Sequence, residues 1–228
     1  MPRVLPSYGR GDTLAHRLRA AAALLTLLAG FGLAGGAAAR PLQIVALGDS
    51  LTAGYGLPAD AAFPVVLEAA LRADGLDVRV ANAGVSGDTA QAGLDRLDWS
   101  VTDGTDGVIL ELGANDMLRG LDPATTSRTL QTILDRLRGR GIKVLLAGML
   151  AAPNLGPDYK ARYDAIFPAL AAANALPLYP FFLDGVAGGE RGLRLADGMH
   201  PTAAGVALVV RRMLPAVTQW LRGFPPAG

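Results

Sequence analysis

The sequence predicts an α/β protein in which helices cover both faces of a parallel sheet. Five short apolar runs alternate with segments of helical periodicity, and this alternation is typical of parallel-sheet proteins. The runs are nearly continuous in apolar residues, which favours strands that are buried on both faces. They are Leu42–Leu47, Val78–Ala81, Val108–Leu112, Lys143–Ala147 and Leu176–Tyr179.

The helices between these runs are predicted from end signals and from apolar residues that recur on one helical face. Asp122 followed by Pro123 is a helix-start signal, and Gly139 and Gly141 end that helix. Pro215 is expected to kink the last helix. The apolar stripes are Leu130, Ile133, Leu134 and Leu137; Tyr159, Tyr163, Ile166, Phe167 and Leu170; and Val206, Val209, Val210 and Met213. Shorter helices are expected at about 64–73 and 89–98.

Residues 1–39 have the pattern of a secretory signal peptide. Four arginines precede an apolar run from Ala20 to Ala34, and Ala37–Ala39 offers the small residues of a cleavage site. We therefore expect a mature domain of residues 40–228 in the periplasm or outside a bacterium, with no stable membrane insertion after cleavage. An uncleaved membrane anchor is the alternative, because the apolar segment is nearly long enough to span a bilayer.

Composition and charge exclude several classes of function. Half of the 228 residues are hydrophobic (51%) and 18% are charged, which suits one domain with a sizeable core. Without residues 1–39, which hold four arginines and one aspartate, the chain has a formal net charge of −2. Because there is no basic field, we expect no nucleic-acid partner. The chain has no cysteine, which excludes disulfides, thiolate metal sites and a lipid-modified cysteine.

Polar and glycine-rich loops follow the first three predicted strands. They are Gly48–Gly56, Ser86–Asp88 and Gly113–Gly120. In open parallel sheets, ligands bind outside the carboxyl ends of the strands, so these loops are expected to converge on one edge of the sheet.

Ser50, in the stretch GDSLTAGYG, allows three interpretations. A phosphate cradle is disfavoured because the Lys-Ser/Thr ending of a P-loop is missing and G-x-G-x-x-G does not fit. A helix-capping serine is a common feature of such loops and stays open on this motif alone. A nucleophile needs a base within hydrogen-bond reach and a group that orients the base.

The chain holds one candidate for that base outside the predicted signal peptide. The two histidines are His16 and His200, and only His200 lies in the mature part. Asp197 precedes His200 by three residues, and a turn containing Gly198 can bring the two side chains together. Asp197 could then take the imidazole Nδ1–H and leave Nε2 to face Ser50.

Acyl transfer also needs donors for the negative charge that develops on the carbonyl oxygen. Candidates are the backbone N–H groups of Ser50 and Gly87 and the side-chain amide of Asn115. Singly, Gly87 and Asn115 are more often plain turn residues. Among the other serines, Ser86 lies in GVSGD, a near miss to the G-x-S-x-G elbow, so Ser50 is the preferred nucleophile.

Four short blocks carry these residues in order. The blocks are Gly48–Leu51 (GDSL), Val85–Thr89 (VSGDT), Gly113–Asp116 (GAND) and Asp197–Pro201 (DGMHP). They resemble the blocks of the GDSL or SGNH hydrolases. Longer stretches, LGDSLTAGYG, NAGVSGDTAQAGLDRL and ELGANDMLRG, are similar to the bacterial periplasmic thioesterase I, arylesterase and lysophospholipase group, and the likeness runs from about Leu42 to Leu221.

The resemblance implies a three-layer α/β/α sandwich of flavodoxin-like type with strand order 2-1-3-4-5 and no metal or cofactor. It implies Ser50 as the nucleophile, His200 as base and then acid, and Asp197 as the orienting group. It also implies an oxyanion hole made by Ser50, Gly87 and Asn115. The implied substrates are aryl esters, acyl-CoA thioesters and lysophospholipids.

The acyl-binding residues are a separate prediction. Met117, Leu118, Met149 and Leu150 lie near the same edge and could line an acyl channel, although ordinary packing would explain them equally well. The loop 149–156 only approximates the Pro-Asn shape of the family, so no chain-length preference is carried over. Two alternatives stay open: a carbohydrate O-acetyl esterase of the same superfamily and a non-catalytic periplasmic binding protein. We expect a monomer that acts on a small-molecule or lipid ester.

Overall fold

The structure is a computed structural model that describes residues 1–4 and 40–224. The predicted signal peptide lies, apart from its first four residues, outside this part of the chain. Its cleavage after Ala39 and the export of the protein stay predictions. Among the helices of the described residues, none has the length and apolarity to cross a membrane.

Five parallel strands form the sheet in the order β2-β1-β3-β4-β5. Their bounds are β1 Leu42–Gly48, β2 Val78–Gly84, β3 Gly107–Glu111, β4 Lys143–Ala147 and β5 Leu178–Tyr179. All five predicted strands and the predicted order are thus confirmed. The third strand ends one residue earlier than the apolar run, and the fifth is reduced to two residues. β1 lies between β2 and β3, with Gly48 paired to Glu111 of β3.

Nine α-helices connect and cover the strands within residues 40–224. They are α1 Ser50–Ala53, α2 Phe63–Ala73, α3 Ala90–Asp95, α4 Leu97–Ser100, α5 Ala114–Leu118, α6 Pro123–Gly139, α7 Pro157–Asp164, α8 Ile166–Asn174 and α9 Ala203–Arg222. Short 3₁₀ turns lie at Ala59–Ala61, Pro153–Leu155 and Arg191–Leu193. One helical layer pairs α2 with α9, and the other is built around α6, which contacts α3, α7 and α8. Helices therefore cover the sheet as a three-layer sandwich.

The apolar stripe from Tyr159 to Leu170 forms two helices, not one. The first, α7, ends at Asp164, and Pro168 lies in the first turn of α8. A proline has no N–H for the carbonyl four residues earlier and its ring clashes with that carbonyl, which here belongs to Asp164. The helix therefore breaks at this point, while Tyr163 and Phe167 remain buried on the two sides of the break. The last helix, by contrast, is continuous through Pro215.

The core fills the space between the sheet and the two helical layers. The middle strands β1 and β3 are buried over most of their length, as the nearly continuous apolar runs predict. Glu111, the last residue of β3, is the one charged residue among these buried strand positions and is 1% exposed. At this end of the sheet, polar side chains are therefore buried as well.

Candidate active site

Ser50 lies at the carboxyl end of β1 and begins the short helix α1. The cap of that helix is Asp49, whose Oδ1 accepts a hydrogen bond from the backbone N–H of Leu51 at 3.0 Å. The capping interpretation of Ser50 is therefore wrong, and its hydroxyl is available for other partners. Gly48 is required before this turn, because a Cβ there would lie 2.1 Å from Thr52 Oγ1 and 2.7 Å from the Glu111 carbonyl oxygen.

Ser50, His200 and Asp197 form a continuous hydrogen-bonded chain. Ser50 Oγ lies 2.9 Å from His200 Nε2, and His200 Nδ1 lies 2.7 Å from Asp197 Oδ2. The ring of Tyr55 packs against the imidazole with its centroid 4.4 Å away. The side chain of His200 is 16% exposed and that of Asp197 is 32% exposed. The spacing of three residues thus brings Asp197 onto the ring nitrogen that the sequence predicts.

The loop before α9 holds the aspartate by its own backbone. Asp197 Oδ1 accepts hydrogen bonds from the N–H groups of Met199 and His200 at 2.8 and 3.0 Å. Gly198 makes this turn possible with a φ of +73°, a conformation that favours glycine. The N–H of His200, then that of Met199 and the imidazole, lower the pKa of Asp197 to about 2. This carboxylate is ionised throughout the neutral range.

Two residues that line the cavity, Ser50 and Gly87, have backbone N–H groups without an acceptor. Within the described residues, neither the Ser50 N–H nor the Gly87 N–H has a hydrogen-bond partner. Gly87 has a φ of +90°, and its carbonyl oxygen accepts a hydrogen bond from Arg119 at 2.8 Å. Free N–H groups beside a serine hydroxyl are the donors that an oxyanion hole requires.

The Gly87 loop is tied to the end of β1 by Arg96. Its Nε lies 2.5 Å from Asp88 Oδ2, and its Nη2 donates to the carbonyl oxygen of Gly48 at 2.8 Å. The two side chains of this ion pair are only 11% and 13% exposed. Because one guanidinium bridges both segments, the Gly87 N–H is held at a fixed position relative to Ser50.

Asn115 enters the site from the first turn of α5. Its Nδ2 lies 3.0 Å from Asp49 Oδ2 and 3.0 Å from the carbonyl oxygen of Asp88. Both neighbours are acceptors, so the amide nitrogen, not the amide oxygen, is directed at them. All five residues that the sequence places in the site therefore come together at one edge of the sheet.

Two polar residues close to the serine were not predicted from the sequence. Asp49 and Glu111 are 0% and 1% exposed and lie next to each other, with the Asp49 N–H directed at Glu111 Oε2. Burial raises the pKa of Asp49 to about 6, although the Leu51 N–H and the Asn115 amide act in the opposite direction. A signal was present: Glu111 is a charged residue in an otherwise apolar strand. No comparable feature of the sequence indicated a role for Arg96, which lies in the stretch AQAGLDRL.

An open cavity of about 820 Å³ extends from the Ser50 hydroxyl, and its lining is predominantly apolar. Met117, Leu118, Met149 and Leu150 all line it, with Met117 and Met149 buried and the two leucines exposed at the surface. Lys160 holds this side of the cavity by donating to the Ala151 carbonyl oxygen, while Asp164 accepts from the Ala151 N–H. The cavity has the size and polarity of a site for a small organic ligand.

An α/β sheet with a serine, histidine and aspartate chain at its carboxyl edge is typical of serine hydrolases. Comparisons with known proteins agree. Residues 46–208 match the GDSL-like lipase/acylhydrolase family. Esterase TesA of Pseudomonas aeruginosa is 39% identical over 182 residues, which are 79% of this chain and 89% of that protein.

Two further relatives are similar over most of the chain. Thioesterase 1/protease 1/lysophospholipase L1 of Escherichia coli K12 is 35% identical over 185 residues, 81% of this chain and 83% of the relative. The crystal structure of AlinE4, an SGNH-hydrolase family esterase, superimposes with a TM-score of 0.67 at 45% identity, covering 80% of this chain and 97% of the other. The chain belongs to the GDSL-like lipase/acylhydrolase family and is an enzyme that hydrolyses ester bonds.

Proposed function

We propose that the protein hydrolyses carboxylic esters and thioesters through a Ser50–His200–Asp197 triad and a covalent acyl-enzyme. The observation that carries the proposal is the hydrogen-bonded chain from Ser50 Oγ to Asp197, with links of 2.9 and 2.7 Å. A serine hydroxyl is a weak nucleophile unless a positioned base takes its proton. His200 is the base in reach, and its contact with Asp197 leaves Nε2 directed at Ser50.

In the first half of the reaction, Ser50 Oγ attacks the carbonyl carbon of the ester. His200 Nε2 takes the hydroxyl proton and becomes an imidazolium, and the carboxylate of Asp197 stabilises its charge. Asp197 suits this role because the low pKa given by its two backbone donors keeps it ionised. The imidazolium then protonates the leaving alcohol or thiol, and the acyl group stays on Ser50.

The oxyanion of the tetrahedral intermediate is bound by the N–H groups of Ser50 and Gly87 and by the amide of Asn115. The two backbone groups have no other acceptor in the described structure. The Asn115 amide is engaged by Asp49 and by the Asp88 carbonyl oxygen. An anionic oxygen is a stronger acceptor than a neutral carbonyl. As the charge develops, the Asn115 amide therefore rotates and exchanges its hydrogen bond to the Asp88 carbonyl oxygen for one to the substrate.

In the second half, water hydrolyses the acyl-enzyme. His200, neutral again after the leaving group has departed, takes a proton from the water, which attacks the acyl carbon. The same three donors bind the second oxyanion. Collapse of this intermediate releases the carboxylic acid and returns the proton to Ser50.

The cavity supports substrates with an apolar acyl or aryl group. Its apolar lining, which includes Met117, Leu118, Met149 and Leu150, extends from the serine and has room for more than an acetyl group. The names of the relatives include esterase, thioesterase and lysophospholipase. We therefore propose aryl esters, acyl-CoA thioesters and lysophospholipids as the substrate classes.

The test is a hydrolysis screen of the purified protein and its Ser50→Ala variant. The panel holds p-nitrophenyl esters of increasing chain length, acyl-CoA thioesters, a lysophospholipid and an acetylated sugar. We expect turnover of the first three classes and a fall in kcat of about 10³–10⁶ in the variant. Ser127→Ala, a serine on α6 outside the cavity, is the matched control.

Three outcomes would contradict the proposal. Turnover restricted to the acetylated sugar would favour a carbohydrate O-acetyl esterase. Near-wild-type turnover in Ser50→Ala would remove the triad. A protein that hydrolyses nothing and is not labelled at Ser50 by a fluorophosphonate would be a binding module on the same fold.

A further inference from the structure

Two buried carboxyl groups lie close to Ser50 and take no part in the proposed proton transfers. Asp49 precedes the serine, and Glu111 ends the neighbouring strand β3 opposite Gly48. Glu111 Oε2 accepts a hydrogen bond from the Thr52 hydroxyl at 2.8 Å and lies 3.4 Å from the Asp49 nitrogen. Two adjacent buried carboxyl groups cannot both be ionised without a large cost, so the pair holds one negative charge.

The hydrogen bonds indicate which of the two is charged. Both oxygens of Asp49 have an N–H donor: Leu51 serves Oδ1 and Asn115 serves Oδ2, each at 3.0 Å. Glu111 Oε1, in contrast, is buried with no partner among the described residues. An ionised oxygen without a donor is far more costly than a neutral one. Burial, and then the charge of Asp49, raise the pKa of Glu111 well above its ordinary value.

The charged member of the pair controls the orientation of Asn115. An amide can rotate by half a turn and exchange its nitrogen and oxygen at little steric cost. Here Asp49 Oδ2 and the Asp88 carbonyl oxygen both accept from the same nitrogen. A flipped amide would direct its oxygen at a carboxylate and a carbonyl, so Asp49 keeps the donor at the side of the site where the oxyanion forms.

We propose that Asp49 and Glu111 are positioning residues that act as one unit: ionised Asp49 fixes the amide of Asn115, and neutral Glu111 fixes Asp49. This inference rests on the proposed function, because it assigns the pair to the oxyanion hole of that reaction. The aspartate of the GDSL stretch then has two roles: it caps α1 and it positions Asn115. This pairing also gives a reason for a buried glutamate that has one oxygen without a partner.

The first test is a double-mutant cycle of Asp49→Asn and Asn115→Ala, measured as kcat on a p-nitrophenyl ester. An asparagine at position 49 has one acceptor where the carboxylate has two, so it cannot serve both Leu51 and Asn115. We expect Asp49→Asn to lower kcat by about 10², with KM changed by less than about threefold. In the double variant kcat should be no lower than in Asn115→Ala alone, because Asp49 acts through Asn115. Losses that multiply in the double variant would overturn the inference.

The second test separates charge from hydrogen bonding at position 111. Glu111→Ala removes the acceptor of the Asp49 N–H and the Thr52 hydroxyl, and we expect kcat to fall about tenfold. Glu111→Gln provides a neutral acceptor of the same shape and should restore most of that loss. If a folded Glu111→Gln is as slow as Glu111→Ala, Glu111 works as a carboxylate and the inference fails.

Infrared spectroscopy of the wild-type protein keeps the inference testable should the Glu111 variants not fold. A carboxylic-acid carbonyl band is expected at pH 8, and its absence would overturn the neutral state of Glu111. Thermal unfolding of each variant identifies losses that come from instability. Failure of the proposed function is recognised separately, since it would appear as retained turnover in Ser50→Ala.

Discussion

The site contains two aspartates in different environments: Asp49 precedes Ser50 in the chain, and Asp197 is hydrogen-bonded to His200. Asp197 lies in an exposed loop, and two backbone N–H groups and an imidazole lower its pKa to about 2. Asp49 is fully buried, and burial raises its pKa to about 6 although two donors contact it. The comparison shows that the number of donors alone does not set the pKa of a carboxyl group; the loss of water can outweigh them.

The difference divides the work of the two carboxylates. The low pKa of Asp197 keeps it charged across the neutral range, which suits its proposed role of stabilising the imidazolium of His200. Asp49 loses its charge on moderate acidification, and with it the contact that fixes Asn115. In the proposed mechanism, the acidic side of the pH–activity profile therefore depends on Asp49, a group outside the triad.

Within this comparison, the largest effect is expected for Asp197→Asn. The asparagine oxygen can still accept from Met199 and His200, but its NH₂ then faces His200 Nδ1 and forces the proton onto Nε2. The imidazole can no longer take the proton of Ser50, and we expect kcat to fall by about 10³–10⁴. Steady-state kinetics on a p-nitrophenyl ester measure the loss.

Asp184→Asn is the matched control, because Asp184 forms an exposed ion pair with Arg212 at 2.7 Å. We expect that variant to lose little activity. A loss below tenfold in Asp197→Asn would mean that His200 keeps its tautomer without the carboxylate, and would remove Asp197 from the triad.

A smaller effect is expected on the buried side, for Asn115→Ala. Loss of one oxyanion donor typically costs about 10²–10³ in kcat, and the Ser50 and Gly87 N–H groups would remain. Asn174→Ala is the control, since Asn174 lies on α8 and pairs with Gln131. An unchanged kcat in Asn115→Ala would exclude its amide from the oxyanion hole and leave the triad intact.

The pair of Asp197 and His200 could be predicted from the sequence, because the two residues lie close together in the chain. Asp197 and His200 are three positions apart, and a glycine between them allows the turn that joins them. The strands could also be predicted, since a buried parallel strand appears in the sequence as a run of apolar residues. Convergence of Ser50, Gly87 and Asn115 then follows from the rule that carboxyl ends of parallel strands meet at one edge.

The contacts of the buried Asp49 could not be predicted, because they depend on the register of the strands. Glu111 approaches Asp49 only because Gly48 of β1 pairs with Glu111 of β3, and the register of parallel strands is not encoded by neighbours in sequence. Arg96 likewise reaches the Gly48 carbonyl oxygen across 48 positions. The break between α7 and α8 could have been predicted, since Pro168 lies four residues after Asp164, the last residue of α7.

The smallest expected effect is a change of stability with pH that distinguishes the two aspartates. The folded-state pKa of Asp49, about 6, lies above the unfolded value of about 3.9, so the folded state binds the proton more tightly. The stability that protonated Asp49 contributes is fully present below pH 4 and is lost as the pH rises through 6. Asp197 has the opposite sign, because its depressed pKa contributes stability above pH 4 that is lost toward pH 2.

Urea unfolding of the wild type and of Asp49→Asn at pH 4, 5.5 and 7 isolates the buried group. The charged neighbours Asp88 and His200 are present in both proteins. Glu111 loses the charge of Asp49 in the variant, but burial, the larger cause of its raised pKa, is the same in both proteins. Relative to the variant, the wild type should gain about 2–3 kcal/mol in its free energy of unfolding from pH 7 to pH 4. A difference that is constant with pH would mean that the pKa of Asp49 is not raised in the folded state, and the contrast with Asp197 would vanish.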